Sequence, residues 1–73
     1  MQKIVITTPF IKLDSFLKLC GACGTGGEAK VAVKSGDVSV DGEVCTMRGK
    51  KLYPGARVSL GGNEFVVEAG GSQ

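Results

Sequence analysis

The hydrophobic period of this chain changes at Gly36, and that change constrains its fold class. Before it, Leu13, Phe16, Leu17 and Cys20 recur at i, i+3, i+4 and i+7, the apolar stripe of a short helix that Gly21 stops. Thr25 followed three residues later by Glu28 has the spacing of a capping box and opens a second helix, running roughly from Gly26 to Ser35. Ala29, Ala32 and Val33 form its buried stripe, and Gly36 supplies the left-handed residue that ends many helices. Beyond Gly36 the period is two: Val38 and Val40 alternate with Ser39, and Asp41-Gly42 marks a tight hairpin turn before Val44. Pro54-Gly55 gives another turn, Val58 and Leu60 a strand, and Gly61-Gly62-Asn63 a turn into a last strand, Phe65-Val66-Val67. The first ten residues suit a short strand or extended arm ended by Pro9. The expected class is α+β: two short helices followed by a small antiparallel sheet, one domain over residues 1–69 with a flexible tail at 70–73.

A 73-residue chain buries only about 60% of the surface its unfolded form exposes. It has room for one thin core, whereas a deep substrate pocket of about 300 Å³ or more would consume much of the interior. With no histidine, no carboxylate pair on a common face and no nucleophile–base arrangement, the sequence argues against an enzyme. The net charge of +2 diagnoses nothing alone, so the placement of charge matters. Between Val44 and Leu60 stand Arg48, Lys50, Lys51 and Arg57 with no acid among them. Asp14 falls in the first turn of the first helix and four residues before Lys18, a spacing for an ion pair. The apolar run Ile4-Val5-Ile6 is far short of a signal peptide, and nothing approaches the roughly 20 apolar residues of a membrane span. Three cysteines without a secretion signal read as free thiols of a cytoplasmic protein.

Four blocks in order, Lys12-Leu13-Asp14-Ser15-Phe16-Leu17-Lys18, Gly27-Glu28-Ala29-Lys30, Gly36-Asp37-Val38-Ser39-Val40-Asp41-Gly42-Glu43-Val44 and Tyr53-Pro54-Gly55, resemble the alpha-L RNA-binding motif. This domain is also named after the fourth protein of the ribosomal small subunit. The match covers about residues 11 to 60, and Arg48-Gly49-Lys50-Lys51-Leu52 brings the chain closest to the short stand-alone bacterial members. The resemblance implies RNA binding by cations at the start of the first helix, along the second helix and in the loop after the hairpin. The corresponding residues are Lys12, Lys30, Lys34, Arg48, Lys50 and Lys51. Many relatives carry an arginine just after the cap of the second helix, where this chain has Gly26.

Lysine suits point-charge contact with phosphate, and Arg48 adds the capacity to grip phosphate with two hydrogen bonds or to stack on a base. Phe16 and Phe65 fit apolar faces and Tyr53 adjoins a turn, so shape recognition of structured or duplex RNA is favoured over base stacking. The expected partner is ribosomal, transfer or another structured RNA, bound by a monomer with no cofactor and no small-molecule substrate. Two other readings compete. Cys20 and Cys23 have the spacing of a thiol redox motif or, with Cys45, part of a metal site. Alternatively, the edge of the terminal strand serves a protein-interaction module.

Overall fold

The computed structural model describes residues 1–70, and of the expected tail, residues 71–73 lie outside the described residues. Strand β1 (Gln2–Ile6) is followed by the two-residue β2 (Ile11–Lys12), which runs directly into helix α1 (Leu13–Leu19). Helix α2 (Gly26–Lys34) precedes β3 (Val38–Val40), β4 (Glu43–Val44), β5 (Lys51–Leu52), β6 (Arg57–Leu60) and β7 (Asn63–Ala69).

Local sequence accounts for the boundaries. Thr25 Oγ1 accepts from the Glu28 N–H at 3.1 Å, and the Glu28 carboxylate accepts from the Gly24 N–H at 2.7 Å, a reciprocal cap that starts α2. Gly36, at φ +80°, ends it in the left-handed conformation that a side chain would oppose. Asp41 and Gly42 both have positive φ, +53° and +87°, as the tight turn between β3 and β4 requires.

The main sheet has the order β1-β7-β6-β3-β4. The expected antiparallel pairing holds for β3 with β4, β3 with β6 and β6 with β7. In contrast, β1 joins β7 in parallel, with Ile4 opposite Val67. The Gly70 N–H continues this seam by donating to the Ile6 carbonyl at 2.6 Å. Because β7 lies between β1 and β6, its edges are taken on both sides, and the terminal strand offers no free edge to a protein partner. That corrects the edge expected from sequence. A second, two-stranded ribbon pairs β2 with β5 antiparallel.

The core joins the inward residues of the sheet, Ile6, Val38, Val40, Val58, Phe65 and Val67, to Leu13, Phe16 and Leu17 of α1 and Ala29 and Val33 of α2. Phe16 meets Phe65 edge-on, with ring centroids 6.2 Å apart, and so ties α1 to β7. Leu52, buried in the same cluster, anchors the ribbon.

Candidate nucleic-acid interface

The ribbon and the start of α1 organise the basic residues. In the β2–β5 register Lys12 lies directly opposite Lys51, and both are exposed. Their neighbours Ile11 and Leu52 form the adjacent pair, and Leu52 points into the core. Alternation along the strand therefore turns Lys51 outward. Like charges directly opposite are unfavourable in a ribbon, so the pair gives the fold an electrostatic cost that an anionic ligand would relieve.

The segment before β5 is stitched to the helix. The N–H groups of Leu13 and Asp14 donate to the carbonyls of Lys50 (2.9 Å) and Arg48 (3.1 Å). Lys12, at the N-cap position, makes no side-chain cap, so these carbonyls satisfy the first turn in its place. The same stitching brings the Arg48 guanidinium 4.0 Å from the Asp14 carboxylate. Asp14 thus faces Arg48, and the Asp14–Lys18 ion pair expected from their spacing is replaced by this cross-segment contact. The Lys18 stem lies instead along the start of α2: its Cδ is 3.9 Å from where a Cβ on Gly26 would stand.

Lys12, Arg48, Lys50 and Lys51 are thus drawn together by backbone pairing. Lys30 and Lys34 are exposed one turn apart on α2 and connect to this group through α1, against which α2 packs. Sequence reasoning missed Phe10 as a component. Its ring lies under the Lys51 ammonium, 4.9 Å from Nζ to the centroid, and beside Tyr53 with 5.9 Å between centroids. No local pattern signals it, because Phe10 meets Lys51 and Tyr53 only through the tertiary fold.

The cysteines form no comparable site. Cys20 is half-buried and its thiol donates to the Leu17 carbonyl at 3.6 Å, as its place on the helical stripe suggests. Cys23 is only 8% exposed. Its burial pushes the thiol above its ordinary value, and the nearby Glu28 and Cys20 push it the same way. That is opposite to the depressed value of a reactive thiolate. Among the described residues no group of three or more histidine, cysteine, aspartate or glutamate side chains is placed to hold a metal ion. Among the described residues no helix is long and apolar enough to cross a membrane.

Two helices packed on an antiparallel-rich sheet, with a lysine-bearing ribbon at the start of the first helix, define a small α+β domain of the alpha-L type. The chain belongs to the S4 domain family, whose sequence profile matches residues 4–68. It is 39% identical over 61 residues to the "Putative RNA-binding protein YbcJ" of Escherichia coli (strain K12), covering 84% of this chain and 87% of that one. It is 41% identical over 59 residues to the "Probable ribosome maturation protein RlbA" of Bacillus subtilis (strain 168), with 81% and 83% covered. The solution structure of E. coli YbcJ, described as revealing an αL motif involved in RNA-binding, matches this fold with a TM-score of 0.73 at 36% identity. That match covers 94% of this chain and 89% of YbcJ.

Proposed function

We propose that this protein is a non-catalytic, cytoplasmic RNA-binding protein that engages structured RNA as a monomer. The contact surface is Lys12, Arg48, Lys50 and Lys51 around the ribbon, extended by Lys30 and Lys34 on α2. The observation that carries the reading is the opposition of Lys12 and Lys51 on a ribbon whose neighbouring carbonyls cap α1. Two exposed lysines at directly opposed ribbon positions suit a polyanion, whose phosphates would replace repulsion with attraction. Family membership and the RNA-binding name of the YbcJ relative support the same partner class. The ribosome-maturation name of the second relative favours ribosomal RNA among structured RNAs.

The test is binding to total cellular RNA and to a duplex RNA across a salt series, comparing wild type with a chain carrying Lys30→Glu, Arg48→Glu and Lys51→Glu. Wild-type affinity is expected to fall steeply with salt, and the variant to bind weakly with a shallower slope while keeping its circular dichroism spectrum. Equal affinity in the folded triple variant would refute this surface.

A further inference from the structure

Beside the ribbon the surface opens into a cleft of about 440 Å³ whose lining includes Asp41, Lys50, Lys51, Tyr53 and Pro54. We infer that this cleft takes one unpaired nucleobase of the bound RNA, stacked on Tyr53, with its flanking phosphates on Lys50 and Lys51. The inference rests on the RNA-binding reading and adds to it a preference for RNA that presents an extruded base.

Tyr53 is 54% exposed although its ring is braced. Phe10 supports it at 5.9 Å with the planes tilted by 47°, and Lys51 is held by the same Phe10 ring. The backbone beneath it is tied down on both sides. The Tyr53 carbonyl accepts from the Ala56 N–H at 2.9 Å, and the Gly55 N–H donates to the Val67 carbonyl at 2.8 Å. Pro54 further restricts Tyr53 to extended backbone. A platform fixed before binding has little ordering entropy left to lose, which favours an aromatic contact.

Asp41, which also lines the cleft, is held in place as well. The Asp41 N–H donates to the Arg57 carbonyl at 2.7 Å, and its Oδ1 accepts from the Arg57 N–H at 3.0 Å. This holds the carboxylate at the cleft, where it can accept from the exocyclic amino group of a base. An aromatic face, a fixed acceptor and two cations within one small-molecule-sized space match the three chemical parts of a nucleotide: ring, amino group and phosphate. The occupant is a nucleotide within a strand, because the cations continue out of the cleft to Lys12 and Arg48 and so follow a backbone.

The experiment compares a fully paired RNA hairpin with the same hairpin carrying one bulged 2-aminopurine, using wild type, Tyr53→Ala and Tyr53→Phe. Wild type is expected to prefer the bulged RNA by about tenfold, the effect of one base–aromatic stack, and to change the 2-aminopurine emission on binding. Tyr53→Phe keeps the preference. Tyr53→Ala loses it while binding the paired hairpin as wild type does. If wild type and Tyr53→Ala bind both RNAs alike, the cleft inference is overturned and the basic surface stands. If wild type binds neither RNA at low salt, both are overturned.

Discussion

Replacing Lys12 with glutamate should make the protein more stable and a poorer RNA binder at once. Lys12 and Lys51 occupy directly opposed positions in the β2–β5 ribbon. Directly opposed side chains have Cβ atoms about 5 Å apart, and two cations separated by a distance on the order of 6 Å repel by about 0.7 kcal/mol in water, reduced to about 0.3 kcal/mol at physiological salt. Glutamate turns the repulsion into an attraction of similar size, and its charge also lies at the N-cap of α1, where a carboxylate contributes a further 0.3 kcal/mol or so. The expected gain is about 1 kcal/mol, which in a domain of this size raises Tm by about 4–8 °C. Lys12→Gln removes only the repulsion and should gain about a third as much. Thermal unfolding followed by circular dichroism reads the stability, and a salt series with duplex RNA reads the binding. The slope of affinity against salt should flatten by about one unit for the lost phosphate contact. Melting at or below the wild-type temperature would refute the account of the opposed lysines. Higher melting with unchanged RNA affinity would remove Lys12 from the binding surface.

Gly26→Arg should fold, since a Cβ there meets only the Lys18 Cδ at ordinary van der Waals distance, and should steepen the salt slope of RNA binding by about one unit; a salt titration beside wild type checks this, and an unchanged slope counts against a contact from the start of α2. The raised Cys23 thiol gives a pH dependence of defined sign. Its contribution to stability is full below the ordinary thiol value of 9.0 and is lost as pH rises through the raised folded-state value. Urea unfolding of wild type and Cys23→Ala above about pH 9 should show the wild-type advantage shrinking, and iodoacetamide at about pH 8 should label Cys23 more slowly than Cys45.

What could be read from the sequence follows the range of each interaction. Both helices and the β3–β4 hairpin are specified by residues within a few positions of one another: the Leu13, Phe16, Leu17 stripe, the Thr25 and Glu28 cap, and Asp41-Gly42. The pairings that shape the interface are not local. A two-residue strand carries no detectable period, so neither β2 nor β5 signals itself. The parallel seam of β1 on β7 joins the two ends of the domain and depends on the whole intervening fold. For the same reason the six basic residues were identifiable as a set through family resemblance, while the opposition of Lys12 to Lys51 and the bracing of Tyr53 by Phe10 required the tertiary structure.

The way α1 begins explains how so small a domain keeps its basic surface in place. A helix start leaves N–H groups unsatisfied, and a serine or threonine cap would be the usual remedy. Here the carbonyls of Arg48 and Lys50 fill that role, and Lys12, at the cap position itself, leaves its ammonium exposed. Helix α1 is held in turn by Leu13, Phe16 and Leu17 in the core. The basic segment is thereby tied to a helix anchored in the core without any of its cations leaving the surface. On the proposed RNA-binding reading, less backbone freedom would then be lost on contact with phosphate, leaving more of each contact as affinity.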